Sequence, residues 1–128
     1  MDLSPGLTAA VQLRVTPDDT AVAWRSGDVA VLATPRVVAL LEQATVAAVA
    51  PALDEDLTTV GTRVEVDHLA ATLVEAMVEA RATLVGVDGR RLVFEASLHD
   101  GATLAARGRI ERVVVDRTRF LARAGTRP

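Results

Sequence analysis

The sequence predicts an α+β domain in which one long central helix is wrapped by a curved antiparallel sheet. A single apolar run extends from Val37 to Leu53, and the segments after it alternate between apolar and polar residues over strand lengths. Two Asp-Gly pairs separate the last three of those segments, which is typical of hairpin turns. With 128 residues the chain is long enough for one hydrophobic core, so we expect a single domain over residues 1–128.

The chain before the helix has weaker signals. Residues 12–16 alternate and predict a first short strand, whereas residues 18–28 have a loop-like composition. Residues 29–32 are short and apolar, and they predict either a strand or the approach to the helix.

The helix is predicted from about Pro35 to Ala50. Thr34 is a good N-cap residue and Pro35 a good first helical residue. Pro51 then marks the end, because proline cannot continue a helix.

The second half of the chain predicts a meander of strands. Tight turns at Asp88-Gly89 and Asp100-Gly101 should join neighbouring strands. The predicted strands cover residues 58–69, 73–87, 91–99 and 103–116, and an arginine-rich polar tail follows. In the strand predicted over residues 58–69, the alternation places four residues on the inward face: Thr62, Val64, Val66 and His68.

Composition excludes several classes of function. The formal net charge of −3 gives no general attraction to nucleic acid or to an anionic membrane. The absence of cysteine excludes disulfides, thiolate metal sites and cysteine nucleophiles, and two distant histidines do not favour a metal site. Only three aromatic residues are present, so a base-stacking surface for nucleic acid is not expected.

A membrane location is not expected either. The apolar run is interrupted by Glu42 and Gln43 and closed by Pro51, which disfavours a membrane-spanning helix. The first six residues lack the basic start and apolar segment of a secretory signal. We therefore expect a cytoplasmic protein that needs no cofactor and no metal.

Glu42 is the first candidate for chemistry, because it is the only charge within the apolar run. A helix that is apolar nearly all round is typically buried, and a buried carboxylate is costly unless it is paired or used. Glu42 could act as a general base, or as a nucleophile that forms a mixed anhydride. The alternative is an exposed polar face, with Gln43 beside it.

Thr34 and His68 are the other two candidates. Thr34 precedes Glu42 by about two helical turns and should lie on the same side, at a helix N-terminus that favours developing negative charge. Its alternative is a cap with no other role. His68 could orient a carboxylate or a water, or protonate a leaving thiolate; its alternative is a structural histidine at a strand end.

These residues, in this order and spacing, resemble the hot-dog-fold thioesterases related to fluoroacetyl-CoA thioesterase. The motifs are Ala33-Thr34-Pro35, Leu41-Glu42, Val60-Gly61, His68 and a late Asp100-Gly101 turn followed by Arg112. The resemblance covers about residues 30–120. It implies a hot-dog fold and a homodimer with active sites at the subunit interface; whether dimers pair further is open.

The resemblance also implies roles for individual residues. Thr34, Glu42 and His68 would be catalytic, Gly61 would line the substrate carbonyl, and Arg112 would lie near the bound substrate. The fluoroacetyl-specific members carry an aromatic-rich lid before the helix, whereas Trp24 is the only aromatic residue of that stretch here. We therefore expect a short- or medium-chain acyl-CoA, or an aryl acyl-CoA.

The predicted activity is thus acyl-CoA thioester hydrolysis. A non-catalytic module that only binds acyl-CoA is the alternative from another class. A hydratase acting on CoA esters is a third possibility, but it would require a different acid/base pair, which His68 alone does not supply.

Overall fold

The computed structural model describes residues 2–127, so that Met1 and Pro128 of the predicted domain lie outside the described part. A five-stranded antiparallel sheet packs against one long helix. The elements are β1 (Thr8–Arg14), α1 (Ala21–Trp24), α2 (Thr34–Val49), β2 (Leu57–His68), β3 (Met77–Asp88), β4 (Arg91–Asp100), β5 (Thr103–Asp116) and α3 (Arg117–Gly125). Short 3-10 turns lie at Pro17–Asp19 and Ala50–Ala52.

Helix α2 begins one residue earlier than predicted, and this changes the role of Thr34. The N-cap is Ala33, which makes no side-chain capping bond, and Thr34 is the first helical residue. The predicted capping role of Thr34 is therefore wrong, and its hydroxyl is available for another partner. At the other end the helix passes into a 3-10 turn at Pro51, whose missing N–H cannot continue the helical bonds.

The sheet is only partly a meander. The strand order is β1-β3-β4-β5-β2, so β3, β4 and β5 are consecutive neighbours, as predicted from the Asp-Gly turns. β2 pairs with β5 at the far edge, so the predicted meander does not extend to β2. The eight residues 69–76 can extend about 26 Å, whereas three strand spacings are only about 14 Å, so they span the sheet easily.

The other differences lie at the ends of elements. β1 begins at Thr8 rather than at residue 12, and β3 begins four residues later than predicted, after Glu75 adopts a positive φ of 81°. The predicted loop at residues 18–28 contains the short helix α1. The predicted polar tail forms α3, because the Asp116 side chain accepts a hydrogen bond from the Arg119 amide and caps it.

The hydrophobic core lies between α2 and the inner face of the sheet. Residues at alternate positions of β3, from Val78 to Leu84, are buried in this core. The helix contributes Val37, Leu40, Leu41, Ala44, Ala48 and Val49. Within residues 2–127, no helix has the length and apolar character needed to cross a membrane.

Candidate active site

A bulge in β2 brings two predicted site residues to the same face of the sheet. The pairing of β2 with β5 slips just after Gly61, where Thr62 is the extra residue. Gly61 lies opposite Arg112, and after the slip His68 lies opposite Ala106. Directly opposed residues share a face, so Gly61 and His68 both face α2 although one number is odd and the other even. The simple alternation that grouped Thr62 with His68 does not hold across this bulge.

Thr34 and His68 form one polar pair of the site. The Thr34 hydroxyl lies 2.7 Å from Nδ1 of His68, which joins the start of α2 to the end of β2. The other ring nitrogen, Nε2, is buried and has no hydrogen-bond partner within residues 2–127. A buried polar atom without a partner costs about 1–3 kcal/mol, so this nitrogen is suited to a group that arrives with a ligand.

A cavity of about 270 Å³ adjoins this pair. Its lining is Ala21, Ser26, Val31, Leu32, Thr34, His68, Leu69, Ala70 and Ala71. Thr34 is exposed and His68 is half-buried, so the pair lies at the mouth of an open hollow whose walls are partly aliphatic.

Glu42 and Arg112 form the second polar pair. The Glu42 Oε2 atom accepts a hydrogen bond of 2.9 Å from the Arg112 guanidinium. The Glu42 side chain is 34% exposed and that of Arg112 only 7%. Glu42 is thus neither a fully buried unpaired charge nor a free surface carboxylate.

Arg112 is itself fixed by Thr59. Its Nε donates to the Thr59 hydroxyl at 2.9 Å, and another guanidinium nitrogen donates to the Thr59 carbonyl at 3.0 Å. Burial lowers the pKa of Arg112 below its ordinary value, whereas the Glu42 carboxylate acts in the opposite direction. Arginine nevertheless stays charged in proteins, so Glu42 faces a fixed cation.

Gly61 leaves the space in which the Glu42 carboxylate lies. A Cβ atom at this position would be 2.6 Å from Glu42 Oε2 and 3.4 Å from the nearest Arg112 nitrogen. The structure thus places Gly61, Arg112 and Glu42 together. The predicted contacts of Gly61 and Arg112 with substrate stay predictions.

The two pairs are not joined directly within one chain. Thr34 and Glu42 are eight positions apart, a rise of about 12 Å along the helix. Among residues 2–127, Glu42 accepts no hydrogen bond from Thr34 or His68, and its Oε1 atom has no hydrogen-bond partner. One thioester carbonyl is too small to bridge this separation, so the two pairs can act on the same carbonyl only if a second copy of the chain brings them together.

Thr59 is a contributor that the sequence analysis missed. It is buried on β2 and holds the guanidinium that pairs with Glu42. Only the register of β2 against β5 reveals this contact, and the sequence does not specify that register. The described residues contain no cluster of three or more histidine, cysteine or acidic side chains that could hold a metal ion.

Solved structures define the class of protein. The fluoroacetyl-CoA thioesterase FlK superposes with a TM-score of 0.92 at 31% identity, with both chains covered completely. A hypothetical protein of Thermus thermophilus, described as a thioesterase superfamily member, gives 0.87 at 28% identity and covers 94% of this chain and 90% of its own. The chain therefore has the hot-dog fold of the thioesterase superfamily, as predicted.

The sequence comparisons define the family. The fluoroacetyl-CoA-specific thioesterase (FlK) family matches residues 15–118. The fluoroacetyl-CoA thioesterase of Streptantibioticus cattleyicolor is 40% identical over 93 residues, which are 73% of this chain and 67% of that protein. The chain belongs to the fluoroacetyl-CoA-specific thioesterase family, and the prediction of a thioester hydrolase of this family is confirmed.

Proposed function

We propose that this chain, as one catalytic domain, hydrolyses acyl-CoA thioesters with Thr34, Glu42 and His68. The observation that carries the assignment of Glu42 is its fixed carboxylate. Arg112 holds Oε2 and Gly61 leaves room for it, while Oε1 is free of hydrogen bonds within residues 2–127. A carboxylate held by one oxygen presents the other in a defined direction, which favours reaction with a bound substrate.

Two reaction paths fit this carboxylate. In the first, Oε1 attacks the thioester carbonyl carbon, the C–S bond breaks, and CoA leaves as a thiolate; water then hydrolyses the mixed anhydride to the acid and regenerates the Glu42 carboxylate. In the second, Oε1 takes a proton from a water that attacks the same carbon, and this proton passes to the leaving thiolate. Both paths consume one water and release an acid and CoA.

Thr34 and His68 would act on the same thioester from another side. Because the rise along α2 between Thr34 and Glu42 of one chain is about 12 Å, they would face the Glu42 carboxylate of a second copy across the subunit interface of the dimer proposed below. There the Thr34 hydroxyl and the N-terminus of α2 can stabilise the negative charge that develops on the carbonyl oxygen. His68, whose Nδ1 is bonded to Thr34, can present Nε2 to a water or to the leaving thiolate. Single-turnover hydrolysis in ¹⁸O-water tests the anhydride path in which water attacks the Glu42 carboxyl carbon, because only that route transfers an unlabelled oxygen of Glu42 to the product acid.

We also propose that the active form is a homodimer with the site at its interface. β2 lies at the edge of the sheet, and an uncovered strand of 12 residues is a ready pairing surface. Val64 on this strand and Val46 on α2 are exposed apolar side chains that a second copy would cover. Light scattering at micromolar concentration should give the mass of a dimer or of paired dimers, whereas a monomer would contradict an interfacial site.

The alternative is a module that binds acyl-CoA without hydrolysing it. The discriminating experiment follows the release of free CoA with a thiol-reactive dye, using acyl-CoA substrates of several chain lengths. Release that depends on Glu42 supports the enzyme, and binding without release supports the module. The cytoplasmic location also remains a prediction, which cell fractionation can test.

A further inference from the structure

The cavity beside Thr34 and His68 has the character of a site for an aliphatic chain. The lining residues Ala21, Val31, Leu32, Ala70 and Ala71 are small or aliphatic, and no aromatic side chain of the described residues lines it. Its volume of about 270 Å³ corresponds to roughly nine water-sized groups, of which an acetyl group would fill only about a third. The cavity therefore suits an acyl chain longer than acetyl.

One wall of this cavity comes from the segment before α2, whose composition over residues 18–28 predicts a loop. Ala21 and Ser26 are its lining residues. Main-chain bonds shape it: the Ser26 amide donates to the Ala21 carbonyl at 3.0 Å, and the Ala21 amide donates to the Val31 carbonyl at 2.8 Å. The position of this wall depends on how the whole segment is attached to α2.

Arg36, in the first turn of α2, makes that attachment with its side chain. Its Nε donates to the Asp19 carboxylate at 2.9 Å, and its guanidinium carbon lies 5.9 Å from the centre of the Trp24 ring. Asp19 also accepts bonds from the Thr16 amide and hydroxyl at 2.8 and 3.0 Å. One guanidinium thus holds both ends of the stretch that carries Ala21.

The contacts of Arg36 are of the kind that position a segment. The Arg36 and Asp19 side chains are only 20% and 12% exposed, so solvent weakens their ion pair less than it weakens a surface pair. The Trp24 ring is itself fixed, because its indole N–H donates to the Asp18 carbonyl at 2.8 Å. Arg36 does not line the cavity, so it does not touch an acyl group bound there.

We propose that Arg36 is a positioning residue that sets the acyl-chain selectivity of this site, and that the substrates are aliphatic acyl-CoA thioesters longer than acetyl-CoA. This inference rests on the proposed function. Arg36 holds the wall that contains Ala21 and Ser26 at a fixed distance from Thr34 and His68. An acyl chain that reaches the wall depends on Arg36, whereas an acetyl group that does not reach it is independent of Arg36.

The test compares kcat and KM for acetyl-, butyryl-, hexanoyl- and octanoyl-CoA in the wild type, Arg36→Met and Arg36→Lys. We expect the wild type to prefer butyryl- or hexanoyl-CoA to acetyl-CoA by at least about tenfold in kcat/KM, because each added methylene in an apolar pocket is worth about that factor. Arg36→Met should remove most of this preference, mainly through KM for the longer chains, and leave acetyl-CoA hydrolysis within about twofold. Arg36→Lys keeps the charge but loses the planar contact with Trp24, and it should give an intermediate profile.

Two further variants make the result specific. Arg81→Met removes an arginine that pairs with Glu79 on the exposed side of the sheet, and it should keep the wild-type profile. Asp19→Asn weakens the same ion pair from the other side. If Arg36 acts through Asp19, the two substitutions remove the same interaction and their effects should not add. The double variant Arg36→Met/Asp19→Asn should then keep the same preference for longer acyl chains over acetyl-CoA as Arg36→Met alone.

A second readout does not depend on turnover. Trp24 is the only tryptophan in the chain, so its fluorescence reports on this segment alone. Titration with a thioether analogue of hexanoyl-CoA, which cannot be hydrolysed, should change the Trp24 emission in the wild type. In Arg36→Met the change should be smaller and the apparent Kd about tenfold weaker, as expected when the wall that contacts the acyl chain is no longer held in place.

Each result either supports or overturns the inference. A wild-type preference for acetyl-CoA would overturn the substrate class, and an equal loss on all four substrates in Arg36→Met and Arg36→Lys would overturn the selectivity role. If the wild type hydrolyses none of them, the proposed function fails, and the fluorescence titration still decides whether Arg36 governs chain binding. A Trp24 emission that the thioether leaves unchanged would place the acyl chain elsewhere.

Discussion

Replacing Gly61 with alanine should displace the Glu42 carboxylate while the fold survives. The new Cβ would lie 2.6 Å from Glu42 Oε2, and ordinary contacts begin at 3.4 Å, so the oxygen must move by about 0.8 Å (3.4 − 2.6). The atom that must move ends a flexible side chain, and Gly61 does not have a positive φ, so the backbone can accept alanine. A displacement of about 1 Å of a reacting group costs up to about 100-fold in rate. We expect kcat/KM for the preferred acyl-CoA to fall by about 10- to 100-fold.

The assay follows CoA release with a thiol-reactive dye, at a temperature where thermal melting shows that the variant is folded. Gly86→Ala is the matched control, because its Cβ would meet only Val93, at an ordinary distance of 3.6 Å, and its rate should be unchanged. A Gly61→Ala rate within about twofold of wild type would refute the argument that the fixed position of the Glu42 carboxylate matters.

The remaining predictions concern the groups around this carboxylate and the segment before α2. Thr34→Ser should retain much of the activity, whereas Thr34→Ala should lose most of it. The free energy of unfolding of Thr34→Ala should fall by only about 0.5–1.5 kcal/mol, since Ala33 is the cap and only the bond to His68 is lost. An alanine variant that is folded and fully active would remove Thr34 from the mechanism. Arg112→Met should lower the free energy of unfolding in urea by about 1–3 kcal/mol, because the Thr59 carbonyl and the Glu42 carboxylate lose their partner, and an unchanged urea midpoint would contradict this. Burial raises the pKa of Asp19, but hydrogen bonds from Thr16 and Arg36 lower it below its ordinary value overall. Asp19 therefore stabilises the fold above about pH 3.9, and this contribution is lost as the pH falls through the lower folded-state pKa. Asp19→Asn should lack that part of the acid-dependent loss of stability, and identical pH profiles of the two proteins would contradict the assignment.

Much of the fold follows from local patterns in the sequence. The long apolar run predicts α2 within one residue, and alternation with Asp-Gly turns predicts β4 and β5 within one residue at each end. These signals are local, since helix period, strand alternation and turn chemistry each depend on neighbouring residues. The edge of the sheet at which β2 pairs depends on contacts between distant residues, and the predicted meander therefore failed at this strand.

The candidate site shows the same division. Thr34, Glu42 and His68 were selected from residue type and spacing, and the structure pairs Thr34 with His68. The partner of Glu42 was not predicted, because Arg112 reaches it only through the β2–β5 register and the bulge after Gly61. The contacts of Arg36 with Asp19 and Trp24 were missed for a related reason, since these two residues lie in two short helical turns in a stretch whose composition indicates a loop.

The most direct test of the account is the activity of Glu42→Gln, which keeps the shape of the side chain and removes its charge. Glu95→Gln is the control, because Glu95 is an exposed carboxylate on β4. We expect Glu42→Gln to lose at least about 100-fold in CoA release from a good acyl-CoA substrate, while it melts cooperatively and still binds the thioether analogue. Near-native turnover in the folded Glu42→Gln protein would contradict the central claim that this carboxylate carries the hydrolysis.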